Sequence, residues 1–219
     1  MEEERTMSSR DKILSALRES TKELHQRELQ AENDSAHDLF AMPDISAFKP
    51  TTFENPVDRF IETARTVSGA SVVELTDGES VNDIIRQVYP DAKIVGSHLE
   101  QVDATINPDL VEEAKDLMCV DVGVVEGKIG VAENGCIWIP QTMKERAVCF
   151  ACEYLVILIH KEDIVSNMHE AYAKIERTPE YFNPYRFGTF ISGPSKTADI
   201  ESALVYGAQA ARGVTVILI

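Results

Sequence analysis

A chain of 219 residues can bury roughly 70% of the surface it exposes when unfolded, enough for one self-sufficient core with an appendage. Its 44% hydrophobic and 26% charged residues exclude disordered and fibrous classes. The 37 acidic residues outnumber the 21 basic ones, a net charge of -16 that repels nucleic-acid backbones and anionic lipid and admits a small anion only at a local nest of N–H donors. No run approaches the ~20 apolar residues of a membrane span, the start Met1-Glu2-Glu3-Glu4 is acidic where a signal peptide is basic, and the cysteines Cys119, Cys136, Cys149 and Cys152 suit a reducing compartment, so the expected location is the cytoplasm.

Residues 1–55 read as a helical arm followed by an irregular linker. From Ser8 to Ala31, the apolar residues Ile13, Leu14, Leu17, Leu24 and Leu29 form a narrow stripe at helical spacing, suited to packing on the chain's own domain or on a second subunit of a homo-oligomer. From Glu32 to Asn55, Pro43 and Pro50 favour irregular backbone. Helical and strand patterns then alternate over residues 56–219. The pattern predicts helix at Pro56–Ser68, strand at Ser71–Leu75 before an Asp77-Gly78 turn, helix at Ser80–Tyr89, strand at Lys93–Val95 and helix at Pro108–Leu117. Three short apolar runs follow at Met118–Val122, Ile129–Ala132 and Cys136–Ile139. The later chain predicts strand Tyr154–Ile159, helix Glu162–Ile175, strand Phe187–Ile191, helix Thr197–Ala211 and strand Val214–Ile219. Strands as uniformly apolar as Leu155-Val156-Ile157-Leu158-Ile159 belong in a sheet covered on both faces, so the expected fold is a layered α/β domain with a largely parallel sheet, whose ligands bind beyond the carboxyl ends of strands.

Two segments carry candidate chemistry. In Ser192-Gly193-Pro194-Ser195-Lys196-Thr197-Ala198-Asp199, placed between a predicted strand and a predicted helix, Gly193 permits a tight turn, Ser195 or Thr197 can cap the helix, and the N–H groups of the first turn attract an anion. Lys196 adds positive charge, and Asp199 can order the loop or complement the helix dipole. The GxxxxGK[ST] spacing of a phosphate-binding P-loop is absent. In Glu133-Asn134-Gly135, the Asn-Gly pair signals a hairpin, while Glu133 is a carboxylate the hairpin does not need and a candidate nucleophile, general base or ligand. Cys149 and Cys152 have redox spacing but precede a buried strand without a second such pair, so they read as inert buried thiols. The five histidines form no HExxH or HxxxH pair and there is no GxSxG elbow, so neither a metal site nor a serine hydrolase is expected.

The run Phe190–Glu201 (FISGPSKTADIE), with Gly207 and the closing apolar strand, resembles the C-terminal signature of the lactate utilisation protein C family, the LUD domain. Gly130–Ile137 (GVAENGCI) is similar to that family's second motif, an IAETGT-like stretch, with Asn134 and Cys136 replacing threonines. Where family members carry Gly-x-His-Gly-Pro, this chain reads Gly207-Ala208-Gln209-Ala210-Ala211; Gln209 can hydrogen-bond a ligand but cannot exchange a proton at neutral pH. The resemblance covers roughly three quarters of the chain, from Pro56 to Ile219. It implies a fold akin to the sugar-phosphate isomerase and CoA-transferase superfamily. It also implies a non-cluster subunit supporting oxidation of L-lactate to pyruvate, with iron-sulphur clusters held by partner proteins and no cofactor in this chain. On that reading a small anionic ligand sits at Asn134, Gly135, Ser192, Gly193, Pro194, Ser195, Lys196, Thr197, Asp199 and Gln209, facing Glu133. The alternative is a stand-alone enzyme. Glu133-Asn134-Gly135 is similar to the motif in which a CoA-transferase glutamate attacks an acyl-CoA, and a nucleotide-dependent ligase is a third reading from fold analogy.

Overall fold

In a computed structural model of the chain, the described residues are 10, 12–16, 19, 21, 49–182, 184–199 and 203–219. The chain divides into two units, Met1–Lys49 and Pro50–Ile219. In the first unit the described residues before Lys49 are helical, Lys49 is not, and the remainder of the arm and the linker as far as residue 48 lie outside the described residues.

The second unit is built on a five-stranded parallel sheet of β1 (Ser71–Glu74), β2 (Val95–Gly96), β3 (Val122–Glu126), β6 (Tyr154–Ile159) and β11 (Gly213–Leu218), in the order β1-β11-β6-β3-β2. A second sheet holds β4 (Ile129–Val131), β5 (Cys136–Pro140), β7 (Ile164–Val165) and β8 (Gly188–Ile191) in the order β7-β4-β5-β8, with β4 antiparallel to β5 and parallel to β7. The expected layered α/β class is therefore what forms, with a mixed sheet as an additional layer.

Side-chain alternation assigns the layers. On β6, Val156 and Leu158 pack with Ile217 against Ile84 and Ile85 of helix α2 (Val81–Val88), whose Ser80 and Asp83 make a reciprocal capping box. Leu155, Ile157 and Ile159 face the other way, onto Phe60 of helix α1 (Pro56–Thr63) and onto Ile137 and Ile139 of β5. The opposite face of the second sheet sets Ile129, Val131 and Trp138 against Ala171 and Ile175 of helix α4 (Met168–Arg177). β6 is apolar at successive positions because both of its faces are covered. Among the described residues no helix is long and apolar enough to cross a membrane.

Several predicted elements differ. The predicted helix Thr197–Ala211 is replaced, in its described residues, by an antiparallel pair of β9 (Lys196–Thr197) with β10 (Val205–Tyr206) and a bend through Gly207, whose φ is 79°. Ser195 N–H donates to Ala211 O at 2.9 Å and Gly207 N–H to Ser195 O at 3.0 Å, so long-range backbone bonds replace helical ones. Helix Glu162–Ile175 begins later, because the β-branched Ile164 and Val165 join β4 as β7 and Asn167 supplies the true N-cap, accepting from Glu170 N–H. Helix Pro108–Leu117 is reduced to turns and a 3-10 helix at Ala114–Cys119. Asn107 Oδ1 turns back to Asp109 N–H, and the Asp109 carboxylate takes Lys144 N–H at 2.7 Å. Of the apolar run Met118–Val122 only Val122 is in β3, and the strand at Lys93–Val95 forms at Val95–Gly96.

Gly188 shows how tightly the second sheet closes. A Cβ there would lie 2.0 Å from Trp138 Cζ2, inside the indole that meets the Phe190 ring at a 52° tilt with 4.9 Å between centroids. Gly188→Ala is expected to lower stability by about 2 kcal/mol, roughly 4–8 °C in Tm, because the buried indole must shift. Thermal unfolding followed by far-UV circular dichroism checks this, and an unchanged midpoint would refute the packing assignment.

Candidate functional site

The two candidate motifs meet at a residue that sequence reasoning does not single out. Helix α1 ends in a π-helical turn, Ala64–Ser68, capped by Gly69 in the left-handed region at φ 77°. This delivers buried Ser68 to the start of β1. Its Oγ lies 3.0 Å from Asn134 O and 2.8 Å from Ser192 Oγ, and Ser192 Oγ lies 3.3 Å from the same carbonyl. One arrangement satisfies both hydroxyls: Ser68 donates to Asn134 O while Ser192 donates to Ser68 Oγ. Lys196 Nζ donates to Ser68 O at 2.5 Å and Val67 O at 3.3 Å.

Two glycines allow the approach. Gly135 has φ 67°, and a Cβ there would sit 2.6 Å from Ser68 Oγ; Gly193 has φ 66°, and a Cβ would sit 2.0 Å from Ser68 O. Both positions need the left-handed conformation and the missing side chain. Asn134 Oδ1 accepts from Cys136 N–H at 3.1 Å, closing the turn between β4 and β5. Pro194 is buried, while Ser195 uses its backbone N–H and carbonyl on Ala211 and Gly207.

The anion-binding helix terminus expected after Gly193 does not form, since Lys196 and Thr197 are in β9. Thr197 Oγ1 accepts from the exposed Asp199 N–H at 3.4 Å instead, and Ile200 and Glu201 lie outside the described residues. The site also occupies an unexpected end of the parallel sheet. Ser68 precedes β1 and Ala211 precedes β11, so the junction lies at the amino ends of these strands rather than beyond their carboxyl ends.

Glu133 is exposed and turned elsewhere. Its Oε1 accepts Met168 N–H at 2.9 Å and its own N–H donates to Ser166 O at 3.0 Å, so it caps the first turn of α4. Gln209 is exposed on the wall of a groove of about 1050 Å³ that it shares with Arg146, Phe150 and Arg212. The structure thus brings together Asn134, Gly135, Ser192, Gly193 and Lys196 around Ser68, and puts the Glu133 carboxylate and Gln209 in other settings.

Burial pushes the thiols of Cys136 and Cys149 up to about 12 and that of Cys152 to about 11, so they behave as packed apolar groups, as their sequence context suggested. At the carboxyl edge of the parallel sheet, His98 follows β2. Its Nε2 is 3.0 Å from Thr142 Oγ1, and its Nδ1 is buried with no hydrogen-bond partner among the described residues. Burial lowers its pKa from the usual 6.5, against the opposing pull of Asp109 and Glu126.

Gly193→Ala is expected to destabilise the fold by at least about 2 kcal/mol, because the new Cβ meets backbone and the left-handed φ is strained. A chemical-denaturation midpoint unchanged from wild type would contradict the junction. His98 binds protons less readily folded than unfolded. The stability it contributes is therefore intact above about pH 6.5 and falls as the pH drops through its lowered folded value. His98→Gln should flatten the loss of urea midpoint between about pH 7 and 5; equal losses in the two proteins would show that His98 is not a source of that pH dependence.

The family model described as the LUD domain matches residues 57–219. The chain is 31% identical over 122 residues to lactate utilization protein C of Shouchella clausii, covering 52% of this chain and 51% of that protein. It is 33% identical over 117 residues to lactate utilization protein C of Halalkalibacterium halodurans, covering 50% and 47%. It therefore spans about half the length of the curated relatives it matches. A crystal structure of a DUF162 family protein from Deinococcus radiodurans superposes with a TM-score of 0.57 at 15% identity, covering 77% of this chain and 99% of the other, a likeness of fold. The motifs that converge on Ser68 lie within the matched residues, and the chain belongs to the LUD domain family.

Proposed function

We propose that this protein serves in lactate utilisation as a component without a redox centre of its own, supporting oxidation of L-lactate to pyruvate alongside iron-sulphur partner proteins in the cytoplasm. The observation that carries this reading is the LUD-domain match over residues 57–219 together with relatives named lactate utilization protein C. The chemistry of the cysteines supports it. Cys136, Cys149 and Cys152 are buried among apolar neighbours with their thiols held protonated, which suits packing rather than cluster ligation.

A small anion would bind at the exposed edge of the Ser68 junction. An ammonium has three donors, and Lys196 gives two of them to Val67 O and Ser68 O, leaving one for a ligand beside the exposed Ser192 hydroxyl. The Asn134 carbonyl accepts from Ser68 and lies 3.3 Å from Ser192 Oγ at this edge, and Gly135 and Gly193 let the loops approach it. The CoA-transferase alternative gains little support, since the Glu133 carboxylate is already occupied by the N–H donor at the start of α4, which reduces its nucleophilicity.

Affinity purification under anaerobic conditions from the native host grown on L-lactate tests the partnership. The expected result is a brown eluate in which iron-sulphur proteins are identified beside this chain. A colourless chain recovered alone under those conditions would overturn the reading.

A further inference from the structure

Where β3, β6 and β11 begin, the loop 207–210, the short helix α3 (Val148–Ala151) and the 3-10 turn Ala114–Cys119 border the open groove of about 1050 Å³ that Gln209 lines. Its charged side chains are the carboxylates Asp121, Glu145 and Glu153 and the guanidiniums Arg146 and Arg212, of which only Glu145 and Arg146 have no ion pair or side-chain hydrogen bond among the described residues. Asp121 accepts the N–H groups of Lys93 and Ile94 at 2.7 and 2.8 Å, bonds that hold its pKa below the usual carboxylate value. Glu153 pairs with Arg212 at 3.0 Å, and Arg212 also donates to Tyr154 Oη. Arg146 differs. Its guanidinium lies 4.2 Å from the centroid of the Phe187 ring, with neither an ion-pair partner nor a hydrogen-bond acceptor among the described residues. A guanidinium resting on an aromatic ring keeps its five N–H donors in its own plane, ready for a carboxylate or phosphate and already restricted in orientation.

The surroundings of Arg146 indicate what the anion is attached to. Phe150 and Met118, which also line the groove, are 39% and 75% exposed, an apolar surface for a flat or aliphatic body, and the Gln209 amide offers both a donor and an acceptor. Size decides the class. A hydroxy acid of six heavy atoms fills roughly 180 Å³, scaled from about 30 Å³ per water, a small part of this space. A groove of this volume has room for a molecule several times larger, lying partly open to solvent.

We propose that this groove is a second ligand site, separate from the Ser68 junction, which takes a mononucleotide-sized organic phosphate. The phosphate pairs with Arg146, the base lies on Phe150 and Met118, and Gln209 hydrogen-bonds the ligand. This assignment does not depend on the lactate reading, because it rests on groups the junction does not use.

Isothermal titration of the full chain with AMP and ADP tests it, with inorganic phosphate and L-lactate as comparison ligands. Arg146 and Phe150 are exposed, so Arg146→Gln and Phe150→Ser should fold, and circular dichroism confirms that they do. At least one nucleotide is expected to bind with a Kd below about 1 mM, weakened about 10-fold or more by Arg146→Gln and also by Phe150→Ser, while inorganic phosphate binds more weakly. Three results would overturn the proposal: no nucleotide binding in that range, an Arg146→Gln affinity equal to wild type, or inorganic phosphate binding as tightly as the nucleotides. The last would leave a simple charge site with no role for the apolar wall.

Discussion

Strand β6 is buried from Leu155 to Ile159, and a strand with apolar side chains on both faces is unstable until both faces are covered. Helix α2 covers one face and the second sheet with α1 covers the other. The second sheet is thereby given its own requirement, since its outer side chains Ile129, Val131 and Trp138 need α4. The layers follow one from another, each burying what the previous one leaves open.

This order explains the burden on the connections. The chain between β3 and β6 builds β4 and β5, and the chain between β6 and β11 builds β7, α4 and β8. Segments remote in sequence must then be locked together at their edges, and Ser68 is where three of them meet. The buried hydroxyl and the lysine there satisfy backbone carbonyls that the π-helical turn and the tight loops leave without helix or strand partners, and the two glycines allow the close approach. A signature motif can thus hold the fold and border a ligand edge with the same residues.

A net charge of -16 makes the disposition of the cations important. Lys161 is bound to Glu74 and Arg212 to Glu153, while Lys128 is bound to Glu126. Lys196 spends most of its donors on carbonyls and Arg146 rests on an aromatic ring.

The sequence alone determined the fold class, through the uninterrupted apolar run of β6 and the helix-strand alternation around it, and the family, through FISGPSKTADIE and GVAENGCI. It also identified Asn134, Gly135, Gly193 and Lys196 as residues that belong to one place. It misread the described residues of 197–211 because Ala and Leu there favour helix, whereas the pairing of Thr197 with Val205 and the bonds of Ser195 to Ala211 and Gly207 decide their backbone. Ser68, His98 and Arg146 carry no local signal, since a serine before a helix-ending glycine, a histidine after a short strand and an arginine in a loop are common. Only the tertiary structure brings carbonyls to the first, buries a ring nitrogen of the second and sets the third on Phe187. Local pattern is dictated by burial and periodicity along the chain, whereas a site is dictated by which distant groups are left unsatisfied when the layers close.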